Sequence, residues 1–322
     1  MRAIVHDRYG SPAVLRLQEV EKPVVGDRDV LVQVHAAAVN PADWHFLTGT
    51  PYVMRVGTGL SKPKNSTLGL DLAGRVEAVG SSVTRFRPGD EVFGAHNGAF
   101  AEYARVPEDA IAPKPANLTF DQAAAVPVAG ITALQGLRDK GNLQSGQRVL
   151  IIGASGGVGT FAVQLAKAFG AQVTGVCSTG NVDLVRSLGA DHVVDYTKED
   201  FTRDVGRHDL VFQVAGNESP WKCRRVLTPK GTLVLCSGDG GGNWFGPLIG
   251  IAGGLASAAF ASQRTAIWIA KVTTKDLVDL TRLLEAGKVT PVIDRRYALA
   301  EAPEALRYQG EGHTQGKIVI TL

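Results

Sequence analysis

Cysteine is scarce in this chain: Cys177, Cys223 and Cys236 are its only three, spread through 322 residues. An odd, widely spaced set excludes a disulfide framework and reads as the reduced, buried thiols of a cytosolic protein. Charge of one sign is lacking too. With 34 Lys and Arg against 31 Asp and Glu the formal net charge is +3, and no Lys/Arg block carries interleaved aromatics, which speaks against a nucleic-acid surface. The first ten residues, MRAIVHDRYG, hold no basic start followed by an apolar core segment, so no secretory signal is read there. Long apolar runs are absent, with one exception. From Gly240 to Gln263 no residue is charged, and WFGPLIGIAGGLASAAFA approaches the length of about 20 residues that a membrane helix requires. Gly246, Pro247, Gly250, Gly253 and Gly254 weaken its helix propensity, and its opening GDGGGNWFG has loop character. The segment is therefore read as an apolar lid or pocket wall, not as a span.

What is present points to two domains, the usual number for a globular chain of this length. Residues 1–122 alternate short strand-like runs (AIVH, VLVQVHAAAV, AGRVEAVG, DEVFG, FAEYARVP) with Gly/Pro/Asp turns, the pattern of a mostly antiparallel β domain. Residues 123–265 change character. There RVLII, AQVTGV, HVVDY, DLVFQV and TLVLCS are separated by helical patterns, which predicts βαβ units and a doubly wound parallel sheet. Residues 267–272 read as one further strand, TKDLVDLTRLLEAGKV has helical spacing at Leu277, Leu280, Leu283 and Leu284, and IVITL closes the chain as a strand. Residues 266–322 are thus expected to return to the first domain, making it discontinuous.

The stretch IIGASGGVGT, residues 151–160, carries the sharpest chemical signal. Ala154, Gly156 and Gly159 occupy the three positions of the G-x-G-x-x-G dinucleotide fingerprint, between a predicted strand and a helix with the apolar face Val158, Phe161, Ala162, Leu165 and Phe169. Small residues allow a tight turn and let a pyrophosphate approach the N–H groups at the helix start, where the helix dipole favours negative charge. The end of the second strand then selects the dinucleotide. An NAD site wants Asp or Glu about 20 residues beyond the fingerprint. This chain has Cys177, Ser178, Thr179, Gly180 and Asn181 there, with Arg186 the nearest basic residue. The absence of a carboxylate and the presence of hydroxyl and amide groups favour NADPH over NADH.

The β domain, AxxGGVG, VRSLGADHVVDY and the C-terminal GHTQGKIVI together resemble the medium-chain dehydrogenase/reductase superfamily along essentially the whole chain. The likeness is greatest to its zinc-independent quinone-oxidoreductase branch, including the reticulon-4-interacting-protein-like members. The resemblance implies an α/β fold, a Rossmann domain plus a GroES-like domain. Alcohol dehydrogenases of this superfamily hold a catalytic zinc on a Cys of the first β segment and a His of a G-H-E motif, and a structural zinc on four Cys. Here AVNPADW places Asn40 at the first position and LGLDLAG places Leu70 at the second, and three scattered cysteines make no quartet. His6, His35, His45, His96, His192, His208 and His313 show no metal-ligand spacing, so no zinc is expected.

Without a Lewis acid, the accessible chemistry is hydride delivery from NADPH to an acceptor that already stabilises negative charge, a quinone or an α,β-unsaturated carbonyl. By resemblance, Asn40 and Asp43 lie near the nicotinamide to position substrate or bond a developing oxyanion, with Tyr52 or a water as proton source; Asp71 reads as structural. Thr132 is expected by the nicotinamide, and Ser155, Gly156, Gly157 and Val158 at the pyrophosphate. Ser178, Asn181 and Tyr196 are expected near the adenosine phosphate. Gln213, Gly216, Cys236, Ser237 and Gly238 follow the fourth and fifth strands, and His313 and Thr314 come from the C-terminal loop. Two departures remove positive charge: Gly180 stands where a Lys is common, and Gln315 replaces an Arg. Trp244, Phe245, Leu248, Ile251, Leu255 and Phe260 would form the oily wall of the cleft, suited to a small apolar carbonyl or quinone. Strand 267–272 would pair across a two-fold axis in a cytoplasmic homodimer. Two other readings stand beside this one: an NADPH-binding sensor or partner-binding protein with little turnover, and an NADP-linked alcohol dehydrogenase.

Overall fold

The computed structural model describes residues 1–203, 206–216, 218–236 and 262–322. The chain forms two compact units, Met1–Ile131 with Lys271–Gly287 and Pro291–Leu322, and Thr132–Ala270 with Lys288–Thr290.

In the second unit the six strands run in the spatial order His192–Asp195, Gln172–Cys177, Arg148–Ile152, His208–Gln213, Leu227–Leu235 and Arg264–Ile267, every neighbouring pair parallel. The inner strands are buried almost end to end at Val149–Ile152, Val173–Cys177 and Leu210–Gln213, as expected of a parallel sheet covered on both faces, while the edge strands are partly exposed. Counted along the chain the order is 3-2-1-4-5-6, that of the Rossmann fold. Strand order reverses between Arg148–Ile152 and His208–Gln213, where Ile152 is in register with Gln213. Loops leaving the carboxyl ends of these two strands therefore diverge around a gap, the usual ligand position in such a sheet.

One expected strand is displaced. The sixth strand is Arg264–Ile267, not 267–272. Its last pair is Leu235↔Ile267, where the neighbouring strand ends, so residues 268–272 have no edge to extend along despite their strand-like composition. Arg224, itself buried, donates to Gln263 O and to the Thr265 hydroxyl and ties this strand down.

The first unit is built on the 11-residue strand Asp29–Val39. It pairs antiparallel with Asp71–Val79 on one side; on the other, Asp29–Gln33 meet Tyr103–Pro107 and Ala36–Val39 meet Lys317–Thr321. Glu91–Ala95 and Ile111–Pro113 extend one edge, and Ile293–Ala298, parallel to Lys317–Thr321, forms the other. Val32, Val34, Leu72, Phe100, Ile111, Leu306, Ile318 and Ile320 share one buried apolar cluster.

His208 opens its strand fully buried, one ring nitrogen sharing a hydrogen bond of 3.2 Å with the Thr174 hydroxyl. Burial, aided by the Arg148 guanidinium, pushes its pKa down to about 4. The unfolded chain takes up a proton near the ordinary value of 6.5 while the folded one does not, so stability is full above that pH and falls as the pH drops towards 4. We expect thermal unfolding to show this loss, approaching about 3 kcal/mol, and its acid slope to flatten in His208→Gln; an unchanged slope would contradict the assignment.

Candidate functional site

The turn after Arg148–Ile152 is shaped by backbone crowding. Gly153 has φ +85°, and a Cβ there would stand 2.6 Å from the Ala215 Cβ. A Cβ on Gly159 would stand 2.0 Å from Gly153 O and 2.7 Å from Ala154 C, both backbone atoms, so only glycine fits. Gly156 differs: its added Cβ would meet nothing nearer than Gly153 O at 3.7 Å. Gly159 thus serves the packing of helix on strand, whereas Gly156 leaves open space at the helix start. The helix Gly157–Ala168 begins there with no side-chain cap and no acidic residue in its first turn. Its first N–H groups and its dipole present a ready anion site, and this cradle fits the pyrophosphate of a dinucleotide.

Apart from Thr132, on the helix Pro127–Gln135, the other expected cofactor residues described in this unit follow the carboxyl ends of its strands. Thr132 and Ser155 are buried. At the end of Gln172–Cys177, the Asn181 amide donates to Ser178 Oγ at 3.1 Å. Tyr196, whose N–H donates to Cys177 O, is 58% exposed. Gln213 is buried and donates to Gly216 O at 2.9 Å, and the Cys236 N–H donates to Gln213 O at 3.0 Å. Burial pushes the Cys177 thiol up to about 11 and those of Cys223 and Cys236 up to about 12, so none is a thiolate nucleophile near neutrality. Ser237 and Gly238, and the apolar wall from Trp244 to Phe260, lie outside the described residues.

In the first unit, sheet register assembles a buried polar cluster. Ala38 is opposite Asp71 and Val39 opposite Ile318, so Asn40, Asp71 and Lys317 converge where three strands end or begin. The Lys317 ammonium, with its side chain 4% exposed, donates to Asn40 Oδ1 at 2.6 Å, Val39 O at 2.9 Å and Asp71 Oδ2 at 3.2 Å. That contact fixes the amide: Asn40 Nδ2 faces Asp71 Oδ2 at 3.0 Å and Ala38 O at 3.3 Å. Asp71 Oδ1 accepts the Val128 N–H. Burial pushes the Asp71 carboxyl up, and Lys317, the Asn40 amide and the Val128 N–H pull it back.

Pro41 starts a helix, and Asp43 at its third position reaches back to accept the Asn40 N–H at 2.8 Å. Asp43 is fully buried, and its carboxyl is pushed up to about 7, mainly by burial with the Asp71 charge adding to it. Asn40 is 2% exposed with both amide ends engaged by protein. The geometry gives Asn40 and Asp43 a positioning part at the turn into the helix, while Asp43 Oδ1 is buried without a hydrogen-bond partner. Tyr52 is half-buried beneath the Arg55 guanidinium, 4.6 Å from its ring centroid. His313 is exposed and Thr314 half-buried in a loop pinned where the Gln315 N–H donates to Asp294. Lys317 was not among the expected site residues; its only signal is its place directly after GHTQG, since sheet register is not written in a linear pattern.

Lys317→Met would leave Asp71 buried opposite no cation. We expect a loss of about 3–5 kcal/mol in denaturant unfolding, shrinking on acidification as the carboxylates protonate, and largely recovered in Lys317→Met/Asp71→Asn. A loss below about 1 kcal/mol would show the pair to be dispensable.

Comparison with known proteins agrees with this architecture. A family profile described as "Zinc-binding dehydrogenase" matches residues 188–320, and "Alcohol dehydrogenase GroES-like domain" matches residues 26–116. NAD(P)H oxidoreductase RTN4IP1, mitochondrial, of Mus musculus is 36% identical, covering 100% of this chain and 89% of its own. The 2-methylene-furan-3-one reductase of Solanum lycopersicum is 34% identical, covering 99% and 79%. The Escherichia coli quinone oxidoreductase crystallised with NADPH superposes with a TM-score of 0.86 at 25% identity, over 100% of both chains. The zinc in the first profile's description does not fit the residues here: an amide and Leu70 stand at the two ligand positions, and the Lys317 ammonium already neutralises the carboxylate beside them. Among the described residues no three His, Cys, Asp or Glu side chains are grouped to hold a metal ion. With a 3-2-1-4-5-6 parallel sheet, a glycine-formed anion cradle at its switch point and relatives aligned along its whole length, this chain belongs to the medium-chain dehydrogenase/reductase superfamily, in its quinone oxidoreductase branch.

Proposed function

We propose that this protein is a zinc-independent, NADPH-dependent reductase of quinones or α,β-unsaturated carbonyls. The observation that carries the reading is the open, uncapped helix start at Gly156–Gly157, on the switch point of the sheet. When bound there, the nicotinamide supplies a hydride, and the acceptor's conjugated system takes up the charge.

In this reading the chain's own residues bind and orient. Gly156, Gly157 and Val158 hold the pyrophosphate through their N–H groups, with Ser155 beside them. Ser178, Asn181 and Tyr196 surround the adenosine ribose, and Thr132, Gln213, Gly216, Cys236, Ser237 and Gly238 serve the nicotinamide half. His313 and Thr314 close the C-terminal side. Asn40 and Asp43 shape the substrate end by fixing the turn into the helix Pro41–Thr48, and Tyr52 or a water returns a proton. Leu70 and Asn40 supply no thiolate or imidazole for zinc, so the substrate must itself stabilise the developing charge. No helix among the described residues is long and apolar enough to cross a membrane. The same reading makes the protein a cytoplasmic homodimer that binds no nucleic acid; the open outer edge of Arg264–Ile267 in the described sheet supports the pairing.

Reduced-nicotinamide absorbance followed with a panel of quinones, enones, aldehydes and alcohols tests this. Quinones and enones should drive NADPH oxidation, more efficiently than NADH oxidation, and a chelator should leave the rate unchanged. Tight NADPH binding with no acceptor reduced, or turnover confined to aldehydes, would contradict the proposal.

A further inference from the structure

The end of the third strand brings a basic residue to the edge of the adenosine region that linear spacing conceals. Parallel pairing sets Asp195 opposite Cys177, so the residues following each strand lie side by side. The Asp195 carboxylate is the organising group. Its Oδ2 accepts the Thr179 hydroxyl at 2.6 Å and meets the Lys198 ammonium at 3.2 Å; its Oδ1 accepts the Thr197 N–H and hydroxyl at 3.1 and 2.7 Å. The carboxylate has a side-chain exposure of 9%, while Lys198 is 68% exposed and free to swing. Arg186, the nearest basic residue in linear sequence, is engaged with Asp183 on its own helix at 3.2 Å. An added Cβ at Gly180 would meet nothing within 4 Å, so the space beside Thr179 is open.

We propose that Lys198 is the residue that gives this site its preference for a 2′-phosphorylated nucleotide. The inference rests on the dinucleotide reading above and specifies its charge selection. Two physical effects act together. Lys198 offsets the Asp195 carboxylate, which unshielded would, with Glu199 on the Asp195 N–H at 3.3 Å, repel a phosphate dianion and welcome ribose hydroxyls. Its mobile ammonium also reaches a phosphate that accepts from the Ser178 hydroxyl, a charge-assisted contact. The Asn181 amide adds to this: it donates to Ser178 Oγ and so leaves the Ser178 proton for the phosphate, while its own Oδ1 is buried without a partner. Gly180 leaves the volume in which that group fits.

The test is calorimetric binding of 2′,5′-ADP and of 5′-AMP to the full chain, in wild type, Lys198→Met and Lys198→Met/Gly180→Lys. Lys198→Met should weaken 2′,5′-ADP about tenfold, a typical value for one charge-assisted contact, and leave 5′-AMP within about twofold. The effect should shrink at high salt because the group is exposed. Restoring a cation from position 180 should recover most of the loss. An unchanged 2′,5′-ADP affinity, or equal losses for both nucleotides, would overturn the inference while leaving the dinucleotide site intact. Failure of wild type to bind either nucleotide would overturn the proposed function itself.

Discussion

The close approach of one helix to one strand end governs this molecule's chemistry. Gly159 brings the helix Gly157–Ala168 so near the Gly153 carbonyl that no side chain intervenes, and the helix N-terminus is thereby aimed along the carboxyl edge of the sheet. Its unsatisfied N–H groups then face the gap where strand order reverses, beside Gln213 and Gly216. In the proposed reading, anion binding here rests on backbone geometry and needs no cationic side chain at the pyrophosphate. Side-chain charge is left for the neighbouring strand ends, where Asp195, Thr179 and Lys198 form one network.

The first unit solves a different problem. A carboxylate and an ammonium buried together carry a heavy desolvation penalty, acceptable only when their remaining hydrogen-bonding capacity is filled. Lys317, Asp71, Asn40 and the Val39 and Val128 backbone groups meet that condition. Lys317 holds the Asn40 amide in one orientation. Asp43, pushed up to about 7 within the same buried region, makes the cluster responsive to pH near neutrality.

Much of this was legible beforehand. The bounds of Arg148–Ile152, and to within a residue those of Gln172–Cys177, His192–Asp195 and His208–Gln213, are legible as apolar runs, whereas TLVLCS marks only the buried second half of Leu227–Leu235, whose Pro229 and Lys230 are exposed. The fingerprint was legible because sterics at Gly153 and Gly159 permit nothing else. Strands Arg16–Glu19 and Ile293–Ala298 went unread: each is largely exposed and carries charged residues, so neither shows an apolar face. Asp71, Lys317 and Lys198 acquire meaning only through pairing register, which brings together residues up to 278 positions apart. Resemblance singled out Asn40 and Asp43, but linear pattern does not show that they open the helix Pro41–Thr48 or that both are buried.

The claim on which the account turns is that a dinucleotide lies along the carboxyl edge of the parallel sheet. Crystals grown with saturating NADP⁺ test it most directly. The account predicts pyrophosphate density against the N–H groups of Gly156, Gly157 and Val158, with the 2′-phosphate among Ser178, Thr179 and Lys198. An empty edge at saturation, or a dinucleotide bound elsewhere, would contradict it.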